Sequence, residues 1–371
     1  MFSIQRIASF LIIITLSIFI IDKLQFILAP LTFAVLLTLM ILPISSFIEK
    51  FLKWRGLAIL ISFIIILIPV VAIMGFFSIQ LVNIFEQMPN IADKIKDGIN
   101  EIFDWINQRW GFTKAESQVW LGNNISKIID APITFFKKGI SSSTSVIFNV
   151  FLALLSLFFL LWYRSGIQNF ILMQFKTDTR DEIKGLIRDI KTTVQHYLYG
   201  LSLVILILAV LNSTGLWLIG IKYPILWGSL AALLAIIPYV GTTLGGILPF
   251  IYSVATAEHW WQPIAVVLLY VGIQNIEGYF ITPNVVGSGI KINPFVAILS
   301  IIIGGTLWGI SGVILALPIV AIIKLVFDHI DMFKPVGLLM SDDLHQKPGD
   351  FLIKYDNDNF RLTNMFKRNK E

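Results

Sequence analysis

The sequence predicts an all-α, polytopic membrane protein, and three observations carry that prediction. Hydrophobic residues make up 56% of the 371 positions and charged residues 14%, where soluble domains carry roughly 25% charged residues. The apolar residues lie in continuous runs rather than in the short alternating segments of a membrane β-barrel. Two runs, 225–256 and 295–326, are each about 32 residues long, too many for one span of about 20, and both hold glycine and proline in their interiors. The expected architecture is about eight spans, with two Gly/Pro-broken helical hairpins, re-entrant or discontinuous, in the C-terminal half.

The elements follow in order. The first two spans, 7–21 and 24–42, are separated only by Asp22-Lys23 and are expected to pair as a tight antiparallel hairpin. Arg6 ahead of an apolar run looks like the start of a signal peptide. No small-residue cleavage site follows, so 7–21 is read as a retained span. Pro30 falls in the first turns of the second span, where its missing N–H costs little. Lys50, Lys53 and Arg55 outnumber Glu49; that excess places the loop, and with it the N-terminus, in the cytoplasm. The third span, 57–81, runs outward and is kinked at Pro69. These spans make up region 1–82.

Region 83–145 carries equal numbers of acidic and basic residues, which fits an external segment. Ile91, Ile95, Ile99, Ile102 and Ile106 share one helical face, and Thr113-x-x-Glu116 has capping-box spacing. Amphipathic helices lying on the outer membrane surface, or on a neighbouring subunit, explain both. Region 146–327 is the membrane transport core. Its span 146–163 returns inward to Arg164, which snorkels to the interface. A cytoplasmic helix, 177–195, then presents Ile183, Leu186, Ile187, Ile190 and Val194 on one face and feeds the outward span 197–220. After the first broken segment, Glu258-His259-Trp260-Trp261 marks the outer interface and 263–281 spans again. Region 328–371 is a polar cytoplasmic tail, so both termini face the cytoplasm.

Several chemistries are excluded. Without cysteine there are no disulfides, thiolate metal sites or cysteine nucleophiles. His196, His259, His329 and His345 share no ligand spacing, and neither H-E-x-x-H, G-x-S-x-G nor a Walker motif occurs. The chain is therefore not expected to be an enzyme, to hold a metal or cofactor, or to drive transport with ATP. The net charge of +5 is scattered beside apolar runs and does not signal nucleic acid. The expected partners are membrane lipid and a small polar solute.

The candidate path is built from the breaks. Pro238, Tyr239, Gly241, Gly245, Gly246 and Pro249 interrupt the first long run, and Gly304, Gly305, Gly309, Gly312 and Pro318 the second. A bilayer tolerates irregular backbone only where it is buried in protein or lines a watery cavity. Close helix packing at small residues is the alternative reading. Paired broken segments point to the binding site of a secondary transporter. Glu277 is the only acid between Lys222 and Asp328 apart from interfacial Glu258, and an ionisable residue within a span is a functional candidate by default; the alternative is a helix-end residue that snorkels. Gln274 lies one turn before it. The polar loop with Pro283, Asn293 and Pro294 follows and is expected to join them in a cluster. Asn212 is expected to hydrogen-bond across helices.

These motifs resemble a known family. Gly220-Ile221-x-Tyr223, Ile237-Pro238-Tyr239-Val240-Gly241 and Pro249 are followed by Gln274-x-Ile276-Glu277, Pro283-x-Val285-Val286-Gly287 and Asn293-Pro294. Gly304-Gly305, Gly309, Gly312 and Leu315-Ala316-Leu317-Pro318 complete the set. In this order they resemble the autoinducer-2 exporter family over nearly the whole chain. The tail after Asp328 is longer than the family core needs. The resemblance implies an inner-membrane transporter of about eight spans, assembled as a homo-oligomer, a pentamer, in which the broken-helix half moves like an elevator against a scaffold. It implies export of the autoinducer-2 signal. Some relatives look like sodium/proton antiporters, so cation/proton exchange is the alternative. A non-transporting scaffold that uses 83–145 for partners is the alternative of another class.

Overall fold

In a computed structural model, the described residues are 4–86, 143–237, 240–286 and 292–345, together with Tyr355 and Phe360. The amphipathic helices expected in 83–145 and most of the tail fall outside them. The described elements are helical: α1 Ile4–Lys23, α2 Gln25–Leu52, α3 Arg55–Glu86, α4 Ser143–Met173, α5 Arg180–Ile219, α6 Pro224–Leu234, α7 Val240–Thr256, α8 Trp261–Ile276, α9 Pro294–His329 and α10 Lys334–Leu339. Among the described residues, six helical segments are long and apolar enough to cross a bilayer. The expectation of about eight spans exceeds that number: α1, read as the first span, is not among the six, and α6 and α7, with 11 and 17 residues, do not reach span length alone. Large apolar side chains are open on many helix faces, Leu11, Phe19, Ile68, Met74, Phe151 and Leu206 among them. Water would not tolerate apolar exposure on that scale, whereas lipid does.

The expected hairpin of the first two spans does not form. Only Leu24 separates α1 from α2, and its N–H bonds the Ile20 carbonyl while its own carbonyl accepts from Leu28. The helical ladder thus runs on through the joint, where Leu24 sits at φ −93 and ψ 15. Asp22-Lys23 offers no glycine or proline to reverse the chain, so a bend replaces the turn.

The described chain divides into two compact units, Met1–Ser62, Ile147–Tyr199, Ser288–Glu371 and Phe63–Val146, Gly200–Gly287. In the first, Leu36 of α2, Val194 of α5 and Leu315 of α9 form a buried core, with Phe33, Ile190, Trp308 and Ile322 against it. Gln195 and Tyr199 donate to the carbonyls of Leu39 and Met40, tying α5 to α2. Arg164 of α4 pairs with Glu49 and reaches Ser46 of α2. Arg55 donates to the Leu161 carbonyl at 3.1 Å. The sequence reading placed these basic residues at the membrane interface, where such pairs are half-hydrated.

Helix α9 is two helices in one. Trp308 sits at φ −127, ψ 17 and Gly309 at φ 57, ψ −136, the second a conformation essentially reserved for glycine. A Cβ on Gly312 would stand 1.8 Å from the Gly304 carbonyl oxygen. Eight residues of straight helix would separate these positions by about 12 Å. The chain must therefore fold back at Trp308–Gly309, with the two limbs in backbone contact. Asn293 starts α9: its Oδ1 accepts from the Val296 N–H, and Pro294 occupies the first turn. Its Nδ2 donates to the Leu339 carbonyl at 2.8 Å, which fixes α10 to the same corner.

In the second unit, the core gathers Ile84, Leu216, Leu226, Trp227, Tyr252 and Val266. The corner after α5 is built on Gly220 and Tyr223, both in the left-handed region. Gln262 holds that corner. Its Oε1 accepts from the N–H groups of Glu258 and His259, and its Nε2 donates to the Ile219 carbonyl. Helices α6 and α7 lie against each other where a Cβ on Gly241 would meet the Leu234 carbonyl oxygen at 1.6 Å and one on Gly245 the Ala231 Cα at 2.9 Å.

Candidate functional site

Within the second unit, α5, α6 and α8 line a small cavity of about 20 Å³, room for roughly one water molecule. Helical spacing supplies its walls. Tyr270, Ile273, Gln274 and Glu277 stand at i, i+3, i+4 and i+7, one face of α8 and its continuation. Leu208 and Asn212 of α5, and Ala231 and Ala235 at the end of α6, are i, i+4 pairs on the opposing walls. The alanines keep α6 close; the polar groups come from α5 and α8.

The polar groups are incompletely partnered. Asn212 is 4% exposed, and its Oδ1 is buried without a hydrogen-bond partner, as is the Tyr270 hydroxyl. A buried polar atom without a partner costs about 1–3 kcal/mol, so two beside one cavity mark a place where a polar guest fits. Glu277 is half-buried and opens a five-residue π-helical turn, Glu277–Ile281, which widens the helix where its carboxylate enters the cavity wall. Such turns recur at functional positions. No Lys or Arg lies between Lys222 and Lys291, so no basic neighbour in sequence neutralises Glu277.

The sequence-derived candidates separate into distinct local roles. Gln274 and Glu277 line the cavity. Gly241 and Gly245 make the α6–α7 approach, and a Cβ on Gly246 would meet the Tyr270 ring at 3.2 Å. Pro249 is fully buried inside α7, and Pro318 is buried inside α9. Gly304, Gly309 and Gly312 shape the reversal of α9, while a Cβ on Gly305 would meet Val313. Pro283 opens the short helical turn Thr282–Val285. Asn293 and Pro294 cap α9, and both polar ends of the Asn293 amide are engaged there. Pro238 and Tyr239 lie outside the described residues. Tyr270 was not singled out in the sequence, although it lies four and seven residues before Gln274 and Glu277, the spacing that puts three polar residues on one face. Asn212 was read as a cross-helix hydrogen-bonding residue, but its oxygen is unused.

Apolar helices of span length, apolar segments broken by backbone-packed glycines, and polar groups held within them mark a multi-pass membrane protein. The chain belongs to the AI-2E family of transporters, whose family model, described as AI-2E family transporter, matches residues 7–332. YrrI of Bacillus subtilis (strain 168) is 26% identical over 324 residues, covering 81% of this chain and 85% of the relative. YueF of the same organism is 27% identical over 324 residues, covering 81% and 83%. The AI-2 transport protein TqsA of Escherichia coli (strain K12) is 22% identical over 320 residues, covering 85% and 90%.

Proposed function

We propose that the chain is a secondary transporter or facilitator that exports a small polar solute of the autoinducer-2 kind across the bacterial inner membrane. The observation that carries this reading is the reversal of α9 at Trp308–Gly309, where Gly304 and Gly312 bring the two limbs into backbone contact. A reversal inside an apolar run leaves backbone groups that a bilayer accepts only beside protein or water. The α6–α7 approach at Gly241 and Gly245 is the second such place. Read as re-entrant hairpins, Pro238–Pro249 and Gly304–Pro318 are each a broken segment of the kind that marks binding sites in other secondary transporters. With each hairpin counted as one re-entrant segment, the chain has about eight membrane segments and a cytoplasmic C-terminus. A homo-oligomer, a pentamer by resemblance, is the assembly this reading adopts. Transport, rather than scaffolding, is favoured by membership of a transporter family.

The test is extracellular autoinducer-2 in cells with and without the gene. Deletion is expected to lower it and a plasmid copy to restore it, whereas a Gly312→Leu copy does not. Unchanged extracellular levels would refute autoinducer-2 as the solute. Proteoliposomes that pass none of a panel of labelled small polar solutes would refute transport.

A further inference from the structure

We propose that the α5–α6–α8 cavity is a proton-binding site, in which Glu277 is loaded through a single water held by Asn212 and Tyr270. This rests on the transport reading and adds the coupling ion to it. The argument starts from size. A volume of about 20 Å³ has room for one water, which needs about 10–15 Å³ on that measure. It continues with valence. A buried water makes two to four hydrogen bonds. Here Asn212 Oδ1 and the Tyr270 hydroxyl are both buried without partners, and the Glu277 carboxylate lines the same wall. The amide oxygen accepts one water hydrogen, the carboxylate the other, and the tyrosine O–H donates to the water oxygen.

Metal cations fit less well. They demand cages rich in oxygen, six or more for the hard divalent ions, and half of this lining is Leu208, Ala231, Ala235 and Ile273. Among the described residues no group of three or more His, Asp or Glu stands together. A lone carboxylate inside a span with one water is instead the minimal proton relay.

The groups that face Glu277 keep its charge balance simple. Tyr270 is the only other titratable side chain in the lining. The segment 200–219 of α5, helix α6 and helix α7 contain no charged residue, and Tyr252 is the one titratable group on α7. Tyr279, in the π-turn, is exposed. Loading is a balanced step: one proton passes from the water to a carboxylate oxygen, the carboxylate becomes a neutral acid, and the water is replenished by a proton from the aqueous phase. Unloading reverses it. The cavity therefore switches between one negative charge and none while remaining small and wet.

The experiment is infrared difference spectroscopy of the purified full-length protein in lipid, titrated with acid in the absence of any solute. The wild type is expected to show a protonated-carboxyl band that Glu277→Gln removes. Asn212→Leu and Tyr270→Phe, which withdraw one water partner each, are expected to displace the titration midpoint by about one pH unit, tenfold in proton affinity. Wild-type titration midpoints that track added Na⁺ at fixed pH would overturn the proton assignment in favour of a cation. A band unchanged in Glu277→Gln, or midpoints unmoved in both partner variants, would overturn the site. Tyr270→Phe differs by one oxygen and guards against misfolding of Asn212→Leu. Failure of the export reading is distinguishable: it abolishes solute flux and leaves this titration untouched.

Discussion

Replace Gly312 with alanine, and the new Cβ would stand 1.8 Å from the Gly304 carbonyl oxygen and 2.5 Å from its carbon. Carbon and oxygen settle at about 3.3–3.6 Å even in favourable contacts, so the two limbs of α9 must part by about 1.5 Å. Neither side has a rotamer to change, because the opposing atoms are backbone inside helices. Overpacking costs typically 1–3 kcal/mol where side chains adjust, and a backbone clash belongs near the top, about 3 kcal/mol. Alanine also gains about 1 kcal/mol of helix propensity over glycine. The net expectation is about 2 kcal/mol of destabilisation. Gly166→Ala is the control. Its Cβ would meet nothing within 4 Å, so only the propensity gain remains and the variant is about 0.5–1 kcal/mol more stable. Reversible unfolding in mixed detergent micelles, followed by far-ultraviolet circular dichroism, compares the two. Equal unfolding midpoints for Gly312→Ala and Gly166→Ala would refute the backbone crossing on which the hairpin rests.

Three further substitutions test other parts of the structure by the same unfolding measurement. Gln262→Leu leaves the Glu258 and His259 N–H groups and the Ile219 carbonyl without their side-chain partner. Because Gln262 is buried, the expected loss is about 1–3 kcal/mol, and no loss would show that the amide is ornamental. Arg164→Ala leaves Glu49 alone at a position only 29% exposed. It is expected to cost about 1–2 kcal/mol, between the surface and buried limits, while Lys184→Ala, whose partner Asp181 is 90% exposed, leaves the midpoint unchanged. Asn293→Ala removes a helix cap, about 1 kcal/mol, and the bond to Leu339, about 1 kcal/mol more. Asn293→Asp should recover the cap share alone, and equal losses in both variants would refute that division.

Much of the helical layout was legible because apolar runs and their flanking charges are written continuously along the chain. The second break was legible in Gly304, Gly309, Gly312 and Pro318, yet which glycine turns the chain was not. Composition does not distinguish Gly309, which adopts the positive φ, from Gly304 and Gly312, which cross. The joint at Leu24 was misjudged for a related reason. Two charged residues between apolar runs suggest a water-exposed turn, but without a chain-reversing residue the backbone simply continues its hydrogen bonds. At the cavity, Glu277 announced itself as a lone acid in an apolar stretch. Asn212, which lines the same cavity, sits 65 positions earlier, and no periodicity connects helices that distant. Tyr270 was within reach, since its spacing to Gln274 and Glu277 is helical, but a tyrosine in a span reads as an interfacial residue until its depth is known.

Trp308 gives the reversal of α9 an intrinsic reporter. Its indole Nε1–H donates to the Ile21 carbonyl at 3.0 Å, at the joint where α1 gives way to α2. Among ten tryptophans, this one is placed at the fold-back itself, and an indole N–H gives a single, separable magnetic resonance line whose frequency follows its hydrogen bond. The line disappears in Trp308→Phe, which assigns it. Thereafter the state of the turn is read without a dye or an introduced cysteine, in a chain that has no native thiol to compete should one be added elsewhere.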